Sequence, residues 1–216
     1  MEQKIKKILS KYIKIPEEQI NENTIIDRSA VAGSIILHRM YASLVSEGFV
    51  IENYSNIENY GTLMDRLRSK FETVSLNDHE PSINNSEKFT PLYGGSSATN
   101  IGIDIEEIAS MPLENDFRTS NFYKMNFTEK EISFCILQPS PLASFAGLFA
   151  AKEAIVKANN AYIQIPFNNI SIDHLPNGKP LHKEFELSIS HTKEVAIAFA
   201  IQSINTPSGK ISYPSL

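Results

Sequence analysis

Apolar residues recur at helical spacing through the first third of the chain. One helical face ends just before Pro16, a residue that a helix interior does not tolerate, and it consists of Ile5, Ile8, Leu9, Tyr12 and Ile13. A second face precedes the turn signal Glu47-Gly48 and consists of Ile36, Leu37, Met40, Tyr41 and Leu44. A third helix is predicted from about Thr62 to Lys70, with Thr62 as its cap. Residues 1–71 are therefore predicted to form a small helical bundle.

The pattern changes three times further along the chain. Residues 72–99 are rich in Ser, Asn, Pro and Gly and lack a sustained period, which predicts a linker. Residues 100–203 place helical segments between the alternating runs IGIDIEEI and FELSISHTKEVAIAFAIQ, and the second run predicts a hairpin around Thr192 to Glu194. Residues 204–216 are predicted to form a tail. The expected fold class is α+β, with the bundle followed by an α+β domain whose antiparallel sheet packs on helices.

Composition and charge narrow the functional classes. The chain has 216 residues, 42% hydrophobic and 21% charged, which is typical of globular proteins. A net charge of -5 gives no broad basic surface, which argues against nucleic acid or acidic lipid as the main partner. The single cysteine, Cys135, cannot form an intrachain disulfide, and no segment reaches the roughly 18 apolar residues of a membrane span. We therefore expect a cytoplasmic protein that acts without a membrane.

Two acidic residues share one face of the first predicted strand. Side chains alternate along a strand, so Ile101, Ile103 and Ile105 project to one face while Asp104 and Glu106 project to the other. The isoleucine face is expected to pack into the core. Mg²⁺ prefers oxygen ligands and usually takes only one or two protein carboxylates, so the acidic face could begin a metal site. The alternative is a strand edge with solvated acids.

A helix predicted from Ser144 to Ala158 carries a second pair of charged residues. Glu153 and Lys157 are four apart and therefore lie side by side, next to Phe149 and Val156. The carboxylate could complete a metal site, and the lysine could neutralise charge on a transferring phosphate. The alternative is an ordinary Glu-Lys pair on the helix surface.

Small polar residues near the end of the chain could contact a nucleotide. Ser188 and Ser190 share a strand face, and His191 ends that strand. The turn from Leu175 to Pro180 lets the backbone approach a flat ligand at Gly178, beside Lys179. Each feature equally suits a purely structural role.

Taken together and in order, these segments resemble the holo-acyl-carrier-protein synthase type of 4'-phosphopantetheinyl transferase. The resemblance runs from about Ile101 to Gln202 and rests on the segments IGIDIEEI, FYKMNFTEKEISFC, FAGLFAAKEAIVKA, NGKP and SISHTKEVAIAFA. It implies transfer of the 4'-phosphopantetheine group of coenzyme A to a serine of an acyl or peptidyl carrier protein, with release of adenosine 3',5'-bisphosphate. It also implies Mg²⁺ as cofactor and a homotrimer. The alternative is a noncatalytic coenzyme A-binding protein with a carrier-like docking domain.

The resemblance assigns roles to individual residues. It makes Asp104 and Glu153 magnesium ligands, Glu106 a third ligand, and Lys157 the partner of the coenzyme A phosphates, with Asp104, Glu153 and Lys157 forming the catalytic set. The nucleotide pocket would be lined by Gly178, Lys179, Pro180, Ser190 and His191. Whether Glu153 or a water molecule removes the acceptor proton stays open.

The chain departs from the family between Glu107 and Arg118. The family often carries basic residues there that grip an acidic carrier helix, whereas this chain has the acidic or neutral run MPLENDF. Arg118 and Lys124 remain candidates for carrier recognition.

The first 70 residues resemble an acyl carrier protein by spacing. Ser34, at the head of the second predicted helix, falls where carriers have their modified serine, although Gly33 precedes it and His38 and Arg39 replace the usual acids. Residues 1–70 carry a net charge of +1, unlike acidic carriers. Three readings stay open: a carrier fused to its modifying enzyme, a degenerate domain that docks or regulates, and an accidental likeness. The charge favours the second, and Ser34 equally suits a helix cap.

Overall fold

The computed structural model of the chain describes residues 1–51, 54, 57–72 and 99–203. The predicted tail and residues 73–98 of the predicted linker lie outside the described residues. The described part contains three helices before the linker and a mixed α+β unit after it.

The first unit consists of helices α1 (Glu2–Ile13), α2 (Ser34–Ser46) and α3 (Tyr60–Glu72). The chain leaves α1 at Lys14, which adopts a left-handed conformation two residues before Pro16, as the proline predicted. Apolar side chains of all three helices form one buried cluster that includes Leu9, Met40 and Leu63. The three predicted helices are therefore present.

The predicted cap of α3 is wrong. The helix begins at Tyr60, so Thr62 lies inside its first turn. Asn59 caps the helix instead, because its Oδ1 accepts a hydrogen bond from the Thr62 amide at 2.9 Å. The Thr62 hydroxyl in turn accepts from the Asn59 amide at 3.2 Å.

The second unit is a three-stranded antiparallel sheet covered by a long helix. Strand β1 (Thr99–Glu107) pairs with β5 (Val195–Ser203), and β5 pairs with β4 (Glu186–His191), which confirms the predicted hairpin. Helices α4 (Asn121–Asn126), α5 (Glu129–Ile136) and α6 (Pro141–Ala158) follow β1. A short hairpin of β2 (Asp173–His174) and β3 (Pro180–Leu181) lies between α6 and β4.

Helix α6 is buried almost all round. Its side chains from Phe145 to Val156 are all buried, which explains why the sequence shows mostly apolar and alanine residues there. The helix contacts β1, β4 and β5 and forms the centre of the second apolar core. The sheet face that α6 covers therefore decides which residues are enclosed.

The burial of β1 is the reverse of the prediction. Ile101, Ile103 and Ile105 are 61%, 47% and 60% exposed, whereas Asp104 and Glu106 are only 7% and 8% exposed. Alternation correctly separated the two faces, but α6 packs on the acidic one. Two apolar residues of β5, Phe199 and Ile201, lie opposite Ile103 and Ile101 and are also partly exposed.

The part of the chain that the structure describes contains no helix long and apolar enough to cross a membrane.

Candidate active site

A close approach of β1 to α6 creates the candidate site. Gly102 faces α6, and a β-carbon there would lie 1.9 Å from the carbonyl oxygen of Ala154. Glycine is therefore required for the strand to lie against the helix backbone. Asp104 and Glu106 lie on the same face of β1 as Gly102, while Glu153 precedes Ala154 on α6. The contact brings three carboxylates from two elements together.

Two cations accompany the three carboxylates. Lys157 Nζ donates to Asp104 Oδ1 at 2.5 Å, and Arg28 Nη1 donates to Glu153 Oε2 at 3.3 Å. The alternative of an ordinary surface pair between Glu153 and Lys157 is thus excluded, since each side chain has a partner on another element. Arg28 precedes α2 and had no signal in the sequence, because its partner is 125 residues away.

Burial and mutual repulsion raise the pKa values of the carboxylic acids. The pKa of Glu106 rises to about 8, first because of burial and then because of the charges of Asp104 and Glu153. Burial also raises the pKa of Asp104 despite the opposing effect of Lys157, and it raises the pKa of Glu153 despite that of Arg28. The cluster therefore disfavours full ionisation of all three acids, and Glu106 is mostly protonated at neutral pH.

The residues fit a divalent cation by their chemistry. Asp104 Oδ2 is buried and has no hydrogen-bond partner in the described part of the chain. Carboxylate oxygens are the ligands that Mg²⁺ prefers, and one or two of them suffice. No group of three or more Asp, Glu, His or Cys side chains among residues 1–51, 54, 57–72 and 99–203 has the arrangement of a complete metal site. A pair such as Asp104 and Glu153 is therefore the appropriate candidate.

A cavity at the β4 edge of the sheet, on the face that α6 covers, gathers part of the predicted nucleotide pocket. Its volume is about 200 Å³, and its lining includes Gly178, Pro180 and His191. Gly178 has φ 85° in the β2–β3 turn, a conformation that favours glycine. His191 pairs with Ala196, which in turn pairs with Glu106, so the cavity lies two strand spacings, roughly 10 Å, from the carboxylates.

The same cavity contains two residues that sequence reasoning missed. The rings of Phe134 and His174 stack with centroids 3.7 Å apart and line it. They are 40 residues apart in sequence and lie on α5 and β2, so no local spacing could pair them.

Other predicted residues lie outside these two places. Ser188 and Ser190 are exposed on β4, and Lys179 Nζ pairs with Glu186 Oε2 at 3.0 Å. Arg118 and Lys124 line a separate cavity of about 560 Å³ with Phe127 and Ile132. The structure does not bring these residues to the carboxylates.

Ser34 lies beside the cluster. It is the first residue of α2, and the preceding Gly33 occupies the cap position without a side-chain cap, so the capping role considered for Ser34 is wrong. The side chain is buried and lies near the Glu153 carboxylate, where it counteracts the raised pKa of that acid.

Comparisons with known proteins give one consistent result for the second unit. Residues 100–200 match the 4'-phosphopantetheinyl transferase superfamily. A holo-[acyl-carrier-protein] synthase from Caldicellulosiruptor saccharolyticus is 37% identical over 117 residues, covering 47% of this chain and 94% of that protein. The chain belongs to the 4'-phosphopantetheinyl transferase superfamily.

Larger proteins match as well. The fatty acid synthase alpha subunit of Lachancea kluyveri is 47% identical over 64 residues, covering 30% of this chain and 3% of that subunit. The alpha subunit from Saccharomyces cerevisiae is 30% identical over 157 residues, or 63% of this chain. The chain spans 8% or less of the length of these subunits.

Among solved structures, a holo-(acyl-carrier-protein) synthase from Bacillus anthracis in complex with CoA (3',5'-ADP) is 30% identical. That match covers 48% of this chain and 95% of the other, with a TM-score of 0.39. The superfamily membership places Asp104, Glu153 and Lys157 within the matched residues, and leaves Arg28 and Ser34 outside them.

Proposed function

We propose that the chain transfers the 4'-phosphopantetheine group of coenzyme A to a serine of a carrier protein. The observation that carries the proposal is the buried cluster of Asp104, Glu106 and Glu153 with Lys157 at its edge. Holo-[acyl-carrier-protein] synthases are relatives that this chain matches over nearly their whole length, which supports the same assignment.

Asp104 and Glu153 would hold Mg²⁺, whereas Glu106, the third ligand that the resemblance implied, does not complete a three-residue metal site with them among the described residues. When bound, the ion would supply positive charge that offsets the coenzyme A pyrophosphate. Asp104 fits this role because its buried Oδ2 lacks a partner in the described part of the chain. A divalent cation would also reverse the repulsion that raises the pKa of Glu106.

Lys157 and Glu153 would serve the transfer itself. Lys157 is 39% exposed while it pairs with Asp104, so its ammonium group can turn to a phosphate oxygen of the ligand. Glu153 or a water molecule would accept the proton of the attacking serine hydroxyl. The serine oxygen attacks the phosphorus of the pantetheine arm, and adenosine 3',5'-bisphosphate leaves.

We propose that the cavity at Gly178, Pro180 and His191 receives the adenine end of coenzyme A. The cavity volume of about 200 Å³ can hold one end of coenzyme A but is too small for the whole coenzyme A molecule. The roughly 10 Å that separate it from the carboxylates can be spanned by the rest of the nucleotide.

We also propose that the exposed apolar face of the sheet lies between copies of the chain. It consists of Ile101, Ile103, Ile105, Phe199 and Ile201. The resemblance to trimeric synthases implies such a contact, and the described residues of the first unit leave this face exposed. Size-exclusion chromatography with light scattering should give a trimer, and a monomeric mass would contradict this proposal.

The transferase proposal is tested with matched carboxamide variants of β1 and α6. Asp104→Asn and Glu153→Gln should each lower transfer to an apo carrier at least a hundredfold, because each replaces a carboxylate that would hold Mg²⁺ by a neutral amide. Glu107→Gln is the control, since Glu107 lies on the same strand but is exposed. The readouts are adenosine 3',5'-bisphosphate release and carrier mass. Normal turnover by either folded site variant would refute the assignment.

A further inference from the structure

The first unit contacts the transferase unit through α2. Ile35 and Ala42 of α2 belong to the apolar core of the second unit. His38 is buried, hydrogen-bonds Asn126, and packs against the rings of Phe149 and Phe167. This contact is packed like a protein interior, so it holds the start of α2 in one place.

Polar contacts at the edge of α2 fix its direction on the second unit. Arg39 Nη1 donates to the Ser110 carbonyl oxygen at 3.1 Å, and the Asn121 side-chain amide donates to Ser46 Oγ at 3.0 Å. Tyr54, which follows α2, donates its hydroxyl to the Met125 carbonyl oxygen at 3.2 Å. Contacts along the whole length of α2 therefore specify its orientation.

The charges of the two surfaces are complementary. Helix α2 contains no Asp or Glu, and its one charged residue is Arg39, since burial keeps His38 neutral. The facing segment, residues 107–118, contains Glu107, Glu114 and Asp116 and a single base, Arg118. Arg39 and Glu114 line the same cavity at this interface. The basic helix and the acidic segment therefore suit each other. The missing carrier acids in α2 and the missing basic residues between Glu107 and Arg118 thus occur on facing surfaces.

The docked α2 places Ser34 against the reactive carboxylates. Ser34 is 8% exposed and lies near enough to Glu153 to counteract the raised pKa of that acid, while Arg28, from the loop just before α2, donates to Glu153 Oε2 at 3.3 Å. Because Gly33 occupies the cap position, the Ser34 hydroxyl is not engaged in capping the helix. The loop before α2 and the first turn of α2 thus bring a candidate acceptor hydroxyl to the carboxylates of the same chain.

We propose that Ser34 is the acceptor of its own chain's transferase, so that the first unit is a carrier modified in cis. This inference rests on the transferase function proposed above. In the reaction, Ser34 Oγ forms a bond to the phosphorus that bears pantetheine, and the bond from that phosphorus to the bridging pyrophosphate oxygen breaks. The Ser34 proton passes to Glu153, and the electron pair leaves with adenosine 3',5'-bisphosphate.

Docking within one chain removes the need for the acidity of free carriers. A separate carrier relies on charge to find its enzyme, whereas a tethered acceptor has a high effective concentration at the site. The net charge of +1 over residues 1–70 is therefore compatible with a working carrier. This geometry favours the first of the three readings of the N-terminal unit.

Intact-protein mass spectrometry of the full chain, as isolated and after incubation with coenzyme A and Mg²⁺, tests the inference. Wild type should gain one phosphopantetheine group, and peptide mapping should place it on Ser34. Ser34→Ala should gain none. Ser29→Ala is the matched control, since Ser29 is exposed in the preceding loop, and this variant should be modified like wild type.

A mixing experiment distinguishes transfer within a chain from transfer between chains. Ser34→Ala supplies an intact transferase, and Glu153→Gln supplies an intact acceptor. Modification of the Glu153→Gln chain should be at least about tenfold slower than self-modification of wild type at equal concentration. Equal rates would overturn the cis arrangement.

An added apo carrier separates the two proposals. Modification of that carrier without modification of Ser34 would overturn this inference and leave the transferase function standing. Modification of neither, with coenzyme A bound according to calorimetry, would overturn both.

Discussion

Gly102 of β1 lies so close to Ala154 of α6 that a β-carbon on it would be 1.9 Å from the Ala154 carbonyl oxygen. Gly102→Ala must therefore push the strand and the helix apart. We expect a loss of about 1–3 kcal/mol or more in the free energy of unfolding, because the contact is with backbone that cannot rotate away. The separation of Asp104 from Glu153 would change as well, so transfer should fall at least about tenfold. Urea unfolding and adenosine 3',5'-bisphosphate release measure the two effects.

Gly147→Ala is the control for this prediction. Its β-carbon would meet only Ile189 Cγ2 at 2.8 Å, and that methyl group can move with its side chain. Gly147→Ala should lose less stability and less transfer than Gly102→Ala, because a side chain can move where a backbone cannot. If Gly102→Ala matched it in both measurements, the close approach would not determine the site.

Lys152 and Glu131 form a buried ion pair that stabilises the second unit. Lys152 Nζ lies 2.7 Å from Glu131 Oε2 and also donates to the carbonyl oxygens of Asn126 and Phe167 at 2.8 Å. Lys152→Met should lower the free energy of unfolding by about 3–5 kcal/mol, since it leaves a buried carboxylate without its cation. Thermal and urea unfolding provide the measurement.

A second substitution checks that the missing cation is the cause. Adding Glu131→Gln to Lys152→Met removes the uncompensated charge and keeps one acceptor oxygen for the Thr128 and Ile172 amides, which donate to separate Glu131 oxygens at 2.8 Å each. The double variant should recover part of the lost stability. A double variant less stable than Lys152→Met alone would contradict this account.

His38 makes the fold sensitive to acid. Complete burial lowers its pKa to about 4, and the charge of Arg28 adds to the effect. In the unfolded state His38 is protonated below about pH 6.5, whereas in the folded state it is protonated only below about pH 4. The stability contributed by neutral His38 is therefore fully present above pH 6.5 and is lost as the pH falls toward 4. The loss should approach about 3 kcal/mol, measured as urea unfolding of wild type at several pH values.

His38→Gln should flatten this dependence, because glutamine does not titrate. The difference between wild type and variant isolates the histidine from carboxylates that titrate in the same range. His191→Gln is the matched control, since His191 is exposed at the end of β4. An unchanged pH profile in His38→Gln would mean that His38 does not cause the acid sensitivity.

Much of the secondary structure followed from local patterns. The periodicity before Pro16, the alternation of the β4–β5 hairpin and the alanine-rich α6 are local properties, and the structure has all three elements. Alternation could not decide which face of β1 is buried. The isoleucine face favours burial because it is apolar, and the acidic face can be buried as part of a site. Which face is buried depends on where α6 packs.

The sequence predicted those residues of the site that lie in recognisable local motifs. Such motifs contain Asp104, Glu153 and Lys157. They do not show which side chains pair with one another in the folded chain. Lys157 pairs with Asp104 over 53 positions, and Arg28 pairs with Glu153 over 125. Only the tertiary fold brings such residues together, so the contribution of the first unit to the site could not be found from spacing.

Arg28 supplies a cation to the site from outside the transferase unit. Its guanidinium group is 3.3 Å from Glu153 and its side chain is 54% exposed, so solvent weakens the pair to about 1 kcal/mol or less. The positive charge of Arg28 nevertheless offsets negative charge at the proposed site. Arg28→Gln should lower adenosine 3',5'-bisphosphate release by about 3- to 10-fold, because this positive charge is lost. Arg28→Lys should restore part of the rate, since it restores the charge without the guanidinium geometry. Lys7→Gln removes an equal charge from an exposed position on α1 and should have no effect. Equal rates for Arg28→Gln and Lys7→Gln would show that Arg28 only holds the first unit in place.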